Sequence, residues 1–176
     1  ERTDRDRYQT VFADQPGSVA APTAGLHFTP DLLSLLEAHG VNHAGVVLHV
    51  GLGTFKPVET EFVAHHPIHS ERCYIPAQAL NLASAARPRT IAVGTTTARA
   101  LEGFHTENAA PDTWFNTDIM ILPGHNWHAI DGLMTNFHLP RSTLMAMVAA
   151  LLPHGIEQLK RLYAIAIEQR YRFYSY

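Results

Sequence analysis

The stretch Ile91–Glu102, which reads IAVGTTTARALE, decides how the chain folds. Its first three residues are apolar and uncharged, as is typical of a strand that is buried on both faces of a sheet. Gly94 breaks this run, and three threonines follow before a series of good helix formers. The stretch therefore predicts a strand, a glycine turn and a threonine-capped helix, which together form one α/β unit.

The start of this helix is predicted to face a ligand. The first backbone N–H groups of a helix lack partners inside it, and here they would lie beside the carboxyl end of the strand. Open α/β sheets bind ligands at that edge, and the N–H groups and helix dipole favour an anion. A single threonine could be only a capping residue. Three of them after Gly94, with Arg99 close behind, favour a ligand-binding loop.

The composition indicates one globular domain. The chain has 176 residues, of which 46% are hydrophobic and 16% charged, so it can bury a core. No apolar run reaches the roughly 18 residues of a membrane span. The only cysteine, Cys73, excludes an internal disulfide and suits a reducing cytoplasm; its expected role is a buried bystander, with a catalytic thiol as the alternative. The formal charge of −3 does not by itself indicate a nucleic-acid-binding protein.

Predicted strands and helices alternate along the chain. Strands are predicted at Val46–Val50, Arg72–Ile75, Ile91–Val93 and Asp118–Leu122. Helices are predicted from Pro30 to Gly40, from Pro76 to about Ala86, from Leu144 to Leu152 and from Ile156 to about Tyr171, with a loop over His105–Asn116. The third of these helices is so apolar that it should be buried. We therefore predict a single α/β domain over residues 1–176, with a largely parallel sheet and helices on both of its faces in three layers.

Six stretches of the chain resemble one protein family. They are AAPTAGLHFT (Ala20–Thr29), LHVGLGTFKPV (Leu48–Val58), IHSE (Ile68–Glu71), IAVGTTTARALE (Ile91–Glu102), LMTNFHLPRSTL (Leu133–Leu144) and EQRYRFYSY (Glu168–Tyr176). All six are similar to motifs of the S-adenosylmethionine:tRNA ribosyltransferase-isomerase family of queuosine biosynthesis. They follow the family's order and cover nearly the whole chain.

The resemblance implies a reaction, a substrate and a partner. Family members transfer and isomerise the ribosyl group of S-adenosylmethionine onto 7-aminomethyl-7-deazaguanine, which the tRNA already carries at its wobble position. The product is epoxyqueuosine-tRNA, and adenine and methionine are released. The resemblance implies S-adenosylmethionine as a substrate, no metal and no other cofactor, and a cytoplasmic enzyme.

The chain also departs from the family pattern. Members begin with a further segment of the α/β domain and then insert a β-barrel domain, and both are absent from this sequence. A Gly-Asp-Ala-Met continuation after RYRFYSY is absent too, and Ile68 replaces the family's usual methionine. The resemblance thus implies a carboxyl-terminal portion, an incomplete copy of the family's main domain without its β-barrel.

The implied reaction needs two or three titratable groups in one pocket. A base must remove a proton from ribose C5′ beside the sulfonium, and a proton donor would assist the departure of adenine. The candidates that lie within the resembling motifs are His49, His69, Glu71 and His138. We favour the pair of His69 and Glu71, because residues two apart on a strand share a face and a carboxylate can orient an imidazole. Any one of these histidines could instead be a packed or surface residue.

The candidate substrate-binding residues lie in the same motifs. They are Thr23, Gly25, Gly51, Gly53, Gly94, Thr95, Thr96, Thr97, Arg99, Asn136 and Phe137. The threonine loop and Arg99 could hold the methionine carboxylate or a tRNA phosphate, although Arg99 could instead pair with Glu102. Asn136 could read the edge of adenine or only end a strand, and Phe137 could stack on a base or fill the core.

Contacts to tRNA phosphates would come from arginines at the two ends of the chain, although each could also belong to a solvated face. They are Arg2, Arg5, Arg7, Arg161, Arg170 and Arg172. Two other functions are considered. A metal-dependent hydrolase would use His65, His66, His69 and Glu71, but Pro67 interrupts the spacing. A non-catalytic module would bind S-adenosylmethionine or a partner without turnover.

Overall fold

The computed structural model describes residues 8–13, 17–18, 21–51, 58–84 and 89–173. Within these ranges the helices are α1 (Pro30–Ala38), α2 (Ala77–Ser84), α3 (Thr95–Thr106), α4 (Thr143–Leu151) and α5 (Gly155–Glu168). The strands are β1 (Val47–His49), β2 (Glu71–Tyr74), β3 (Ile91–Val93), β4 (Trp114–Thr117) and β5 (Gly132–Met134). Short 3₁₀ helices cover Thr23–His27 and Val63–His65. The predicted α/β class is confirmed.

Helices begin where the sequence provides capping side chains. The hydroxyl of Thr29 accepts a hydrogen bond of 3.1 Å from the backbone N–H of Leu32 at the start of α1. The hydroxyl of Ser142 accepts one of 3.3 Å from Met145 at the start of α4. Each cap satisfies a backbone donor that has no partner within its helix, which is why these starts could be read from the sequence.

The strands form two sheets with different directions. A three-stranded sheet has the order β1-β2-β4, and both of its pairings are antiparallel; β3 and β5 form a separate parallel pair. The prediction of a largely parallel sheet is therefore wrong for the described residues. The reason is that α2, β3 and α3 all lie between β2 and β4, and β3 joins the other sheet. The connection from β2 to β4 is thus not a simple strand-helix-strand crossover. The alternation of strands and helices along the sequence therefore did not determine whether neighbouring strands run parallel or antiparallel.

The structure has no strand at Asp118–Leu122, where one was predicted, but it has one a few residues earlier in the sequence. The observed strand, β4, covers Trp114–Thr117 instead, and all of it except Thr117 lies in the stretch predicted as a loop. The backbone N–H of Ile119 donates to the Thr117 hydroxyl at 3.2 Å, so it is used locally instead of in a strand ladder. Ile121 is still buried in the core. Its apolar character therefore reflects burial, which an irregular segment can also provide.

Helix α3 lies at the centre of the fold and packs against both sheets. Its residues Ala98 and Leu101 join Ile75, Ala92 and Met147 in the main hydrophobic cluster. The strand before it, β3, is not buried on both faces as predicted, because Ile91 is 49% exposed while Ala92 is 1% exposed. An uncharged run of three residues does not distinguish a strand with one buried face from a strand with two.

The two carboxyl-terminal helices pack against each other. The apolar α4 buries Met147 and Ala149 fully, and its other residues are half-buried, so it is less enclosed than predicted. Helix α5 ends at Glu168 because Arg170 adopts a φ of 56°. No helix in the described ranges is long and apolar enough to cross a membrane.

Candidate active site

The carboxyl ends of β3 and β5 lie side by side, because the two strands are parallel and Val93 is opposite Met134. The backbone N–H of Gly94 donates to the carbonyl of Met134 at 2.8 Å, which extends the pairing by one residue. The segments that follow the strands therefore leave the sheet at the same edge. This arrangement brings the threonine loop next to the segment that contains Asn136.

A third motif reaches the same edge from the amino-terminal part of the chain. The hydroxyl of Thr23 donates to Asn136 Oδ1 at 3.1 Å, although 113 positions separate the two residues. Ala24 lies next to Gly94, since a Cβ atom built on Gly94 would be 3.9 Å from the Ala24 Cβ. Gly25 has a packing role, because a Cβ there would lie 3.2 Å from the side chain of Thr10. Three predicted substrate-binding segments thus converge.

The threonine loop differs from the prediction in its cap. Gly94 is the N-cap residue, with a φ of 92° that favours glycine, and no side chain caps the helix. Thr97 donates its hydroxyl to the Val93 carbonyl at 2.8 Å, so this side chain is used internally. The first intrahelical donor is the backbone N–H of Ala98. The N–H groups of Thr95, Thr96 and Thr97 therefore remain outside the regular helix pattern, as an anion site requires.

His138 lies four residues beyond β5 and is fixed by its neighbours. Its Nε2 atom is 2.9 Å from the Thr135 hydroxyl, and its backbone N–H donates to the Tyr163 hydroxyl at 2.8 Å. Burial lowers the pKa of His138 from 6.5 to about 4, so its imidazole is neutral at pH 7. Tyr163 belongs to α5 and lies in none of the six motifs, so its role could not be predicted from the sequence.

Phe137 is half-buried and packs against other aromatic rings. Its ring stacks on Phe173 with 4.5 Å between the ring centroids, and it meets the ring of Tyr163 edge-on at 5.2 Å. These contacts connect the segment after β5 to α5 and to the residues that follow it. They fix the position of Asn136 and His138 on either side of the phenylalanine.

Glu71 and Arg99 form a buried ion pair. Arg99 Nη1 donates to Glu71 Oε2 at 2.6 Å, and the side chains are only 8% and 1% exposed. Arg99 therefore pairs with Glu71 on β2 and not with Glu102, its alternative partner. Two other donor atoms of Arg99, Nε and Nη2, are buried without a hydrogen-bond partner.

The favoured pair of His69 and Glu71 is not brought together as predicted. β2 begins at Glu71, so His69 precedes the strand, and the rule that residues two apart share a face does not apply to this pair. His69 is exposed, whereas Glu71 is buried. Cys73 lies beside the ion pair and is completely buried. Burial and the nearby Glu71 charge raise the pKa of the Cys73 thiol to about 12, so it is protonated at pH 7, as expected of a bystander.

His49 lies on the other face of the three-stranded sheet. It is opposite Arg72 in the β1-β2 register, and Arg72 is exposed while its neighbours Glu71 and Cys73 are buried. The His49 ring packs against Trp114, with 5.1 Å between ring centroids. His49 and Glu71 therefore lie on opposite faces of the sheet. Of the two remaining glycines, Gly51 is half-buried, and Gly53 lies outside the described residues.

A small cavity of about 10 Å³ adjoins the ion pair, which is about the volume that one water molecule needs. Arg99 lines it together with Thr143, the first residue of α4, and its other walls are apolar. The apolar lining residues are Ile68, Ile119, Met120, Ile121, Leu144 and Met147. The sequence signal for this cavity was weak, because its walls come from four separate segments.

The described residues contain no group of three histidine, cysteine or acidic side chains that could hold a metal ion. His65, His66, His69 and Glu71 are all described, so the structure does not gather the set that the hydrolase alternative requires. Three of the candidate phosphate-binding arginines are exposed: Arg161, Arg170 and Arg172. The other three, Arg2, Arg5 and Arg7, lie outside the described ranges.

Comparisons with known proteins agree with the motifs. The sequence profile of the family described as "queuosine biosynthesis protein" matches residues 1–176. The S-adenosylmethionine:tRNA ribosyltransferase-isomerase of Acaryochloris marina is 50% identical over 174 residues, which are 97% of this chain and 47% of that protein. The enzyme of the same name from Dechloromonas aromatica is 48% identical over 180 residues, covering 100% of this chain and 51% of its own length.

A solved structure gives the same result for the fold. The crystal structure of S-adenosylmethionine tRNA ribosyltransferase from Thermotoga maritima matches with a TM-score of 0.66 and 37% identity. The match covers 87% of this chain and 49% of that one. The chain thus spans about half the length of the relatives it matches. By its sequence profile and its relatives, the chain belongs to the queuosine biosynthesis protein family.

Proposed function

We propose that this chain carries the substrate-binding α/β portion of an S-adenosylmethionine:tRNA ribosyltransferase-isomerase. The reaction transfers and isomerises the ribosyl group of S-adenosylmethionine onto 7-aminomethyl-7-deazaguanine at the tRNA wobble position. It gives epoxyqueuosine-tRNA and releases adenine and methionine, and it uses S-adenosylmethionine as a substrate with no added cofactor. We place this reaction in the cytoplasm.

The observation that carries the proposal is the convergence of three segments at the carboxyl ends of β3 and β5. The Thr23–Asn136 hydrogen bond and the close approach of Ala24 to Gly94 join these segments. The edge combines backbone N–H groups of α3 with an amide side chain, which suits an anionic group and a nucleobase edge. S-Adenosylmethionine carries both a carboxylate and an adenine.

We assign the proton acceptor at ribose C5′ to His138. Its imidazole is neutral at physiological pH, because burial lowers its pKa to about 4, so the proton-accepting form is fully populated. The Thr135 hydroxyl and Tyr163 fix its ring and its backbone. His69 is kept as a second candidate, since its exposed side chain is accessible to an amine carried by tRNA.

We propose that tRNA phosphates meet the exposed arginines near the carboxyl end. Arg161 lies on α5, and Arg170 and Arg172 follow that helix. Their guanidinium groups could each neutralise a phosphate, which would make tRNA binding depend on salt. The formal charge of −3 for the chain requires this positive charge to be local.

The direct test is adenine release by the 176-residue chain, incubated with S-adenosylmethionine and tRNA that carries 7-aminomethyl-7-deazaguanine. We expect release only when this tRNA is present. We expect His138→Gln to slow release about a hundredfold or more, because general base catalysis contributes about that much. The matched control is His154→Gln, since His154 is exposed at the start of α5 and lies in no motif.

Three outcomes decide between the alternatives. Release that depends on the modified tRNA and falls in His138→Gln supports both the function and the assignment of the base. Release that is unchanged in His138→Gln overturns the assignment of His138 as the base but does not contradict the proposed reaction. A folded chain that binds S-adenosylmethionine without releasing adenine overturns the enzymatic function and identifies a binding module.

A further inference from the structure

The outer face of the three-stranded sheet carries aromatic rings and a cation. Along β2, Glu71 and Cys73 are buried, so Arg72 and Tyr74 lie on the opposite face of the sheet. The residues of β1 and β4 that are directly opposite these two share that face. The outer face therefore consists of Val47, His49, Arg72, Tyr74, Trp114 and Asn116. None of these six residues is acidic.

Trp114 contacts three other side chains of the outer face. The centroid of its ring is 5.4 Å from that of Tyr74 and 5.1 Å from that of His49. The guanidinium carbon of Arg72 lies 4.5 Å from the centroid of the indole ring, which is a cation–π distance. Trp114 is nevertheless 37% exposed. The outer face thus holds a large aromatic ring in place and leaves part of it accessible.

The positive charge of Arg72 is not balanced by a neighbouring carboxylate. Arg72 is exposed, and it forms no ion pair with any residue that the structure describes. Among those residues, the one carboxylate bonded to the outer face is that of Asp112. It accepts from the Tyr74 hydroxyl at 3.4 Å and from the backbone N–H of Ala77 at 3.0 Å. The outer face therefore attracts an anion at Arg72.

Exposed aromatic rings and an arginine on an antiparallel sheet suit unpaired RNA. Unpaired bases stack on aromatic rings and guanidinium planes, and arginine also neutralises the phosphates of the backbone. The proposed function supplies such an RNA, because the wobble base of a tRNA belongs to its unpaired anticodon loop. A second protein chain is the alternative occupant, and the test below separates the two.

A short series of contacts connects the outer face to the proposed substrate edge. Arg72 directly follows Glu71, which accepts from Arg99 at 2.6 Å. Arg99 lies one turn of α3 beyond Thr95, or about 6 Å along the helix axis. When the wobble base reacts beside the threonine loop, other nucleotides of the same anticodon loop are therefore within reach of the outer face.

We infer that Trp114 stacks on the base of an anticodon-loop nucleotide other than the wobble base, while Arg72 contacts an adjoining phosphate. This inference rests on the proposed function, because that function supplies the tRNA. It adds a contact to a base, whereas the exposed arginines near the carboxyl end would contact phosphates.

The first test removes the stacked base. The 176-residue chain is titrated into RNA hairpins that have the anticodon stem and loop of the tRNA, either intact or lacking one loop base, and fluorescence anisotropy of the labelled RNA gives the affinity. We expect the loss of one base other than the wobble base to weaken binding at least fivefold. In Trp114→Leu the same loss should have no effect. The matched control is Phe62→Leu, which removes an aromatic ring that is 60% exposed outside the outer face and should keep the full effect.

The second test leaves the outer face unaltered. Trp127→Phe makes Trp114 the only tryptophan of the chain, so its fluorescence reports on this face alone. We expect the intact hairpin to quench this fluorescence, because a stacked base contacts the indole, and the hairpin without that base to quench it less. This measurement decides the inference even when Trp114→Leu does not fold.

The third test addresses Arg72 through the salt dependence of hairpin binding. Arg72→Gln should lower the slope of log affinity against log salt concentration by about one, because one phosphate contact is lost. Arg89→Gln is the matched control, since Arg89 is exposed and does not belong to the outer face, and it should keep the slope. An equal slope in the unaltered chain and in Arg72→Gln overturns the role of Arg72.

The outcomes separate the inference from the function on which it rests. An effect of the missing base that disappears in Trp114→Leu, together with quenching of Trp114, supports the inference. Binding without quenching, or an effect of the missing base that survives in Trp114→Leu, overturns it. Quenching that depends on protein concentration and not on RNA assigns the outer face to a second protein chain and also overturns it. Adenine release with the modified tRNA is measured separately. Release without a response of Trp114 overturns only the inference, whereas a folded chain that neither binds RNA nor releases adenine overturns both.

Discussion

Two carboxylates are completely buried against α3, and they are bonded in different ways. Glu102, in α3 itself, accepts from the backbone N–H groups of His128 and Ala129, at 3.1 Å and 2.8 Å, and from the ring of His125 at 3.1 Å. Glu71, on β2, accepts from Arg99, whose Nε and Nη2 atoms are buried without a hydrogen-bond partner. Both carboxyl side chains are at most 1% exposed, so burial alone does not distinguish them.

The difference between them lies in the donors. Around Glu102, the backbone N–H groups of His128 and Ala129 and the ring of His125 all bond to the carboxylate, so these groups hold the segment from His125 to Ala129 onto α3. Beside Glu71, Arg99 has two nitrogen atoms without a hydrogen-bond partner, and it lines a small cavity. We therefore expect Glu102 to contribute mainly to stability and the pair of Glu71 and Arg99 mainly to binding.

The largest expected effect is on the region around Glu102. Glu102→Ala removes the acceptor of two backbone N–H groups and of His125, and we expect the free energy of unfolding to fall by about 3–5 kcal/mol. Urea denaturation followed by circular dichroism measures this change. The control is Glu157→Ala, whose pair with Lys160 is exposed and should contribute about 0–1 kcal/mol. Similar losses for the two variants would mean that Glu102 has no special structural role.

The region around Glu71 can be examined by a double-mutant cycle. Arg99→Met leaves Glu71 buried without its cation, and we expect a loss of about 3 kcal/mol in unfolding free energy. Adding Glu71→Gln should restore most of this stability, because no isolated charge remains, whereas affinity for S-adenosylmethionine should stay low. Denaturation and calorimetry on Arg99→Met, Glu71→Gln and the double variant separate the two effects. Recovery of ligand affinity in the double variant would contradict the binding role of Arg99.

Two half-buried histidines have different neighbours: His125 lies beside Glu102, and His138 lies beside Thr135. The pKa of His138 is about 4 when folded and near 6.5 when unfolded, so between these values the unfolded chain takes up a proton that the folded chain does not. Stability should therefore be complete above pH 6.5, fall as the pH drops towards 4, and change no further below that. The expected loss is roughly 2–3 kcal/mol.

Denaturation curves across this pH range check the prediction. The variant His138→Gln should show a flatter dependence on pH between 6.5 and 4, since it lacks the titrating imidazole. An unchanged slope in this variant would assign the acid sensitivity to another group.

Local signals explain which parts of the fold could be predicted. Thr29 and Ser142 start helices because their hydroxyls accept backbone N–H groups within one turn. Gly94 ends a strand because its φ of 92° suits glycine. These features depend on residues within four positions, so the sequence contains them directly. The loop at the carboxyl end of β3 was predicted for the same reason.

Contacts between distant residues explain what could not be predicted. The spacing offered Glu102 as a partner for Arg99, but the observed partner, Glu71, lies 28 positions earlier and meets it only because α3 packs against β2's sheet. The face on which His49 lies follows from its register with Arg72, which no local pattern contains. The hydrogen bond that joins Thr23 to Asn136 likewise spans 113 positions.

The most direct test measures stability and affinity for S-adenosylmethionine together in two variants, Arg99→Lys and Glu102→Gln. We predict that Arg99→Lys binds at least tenfold more weakly while it loses less stability than Glu102→Gln. Glu102→Gln should lose stability while its folded form keeps the affinity of the unaltered chain. If both variants instead lose affinity and stability in the same proportion, Glu102 does not contribute mainly to stability and the pair of Glu71 and Arg99 does not contribute mainly to binding.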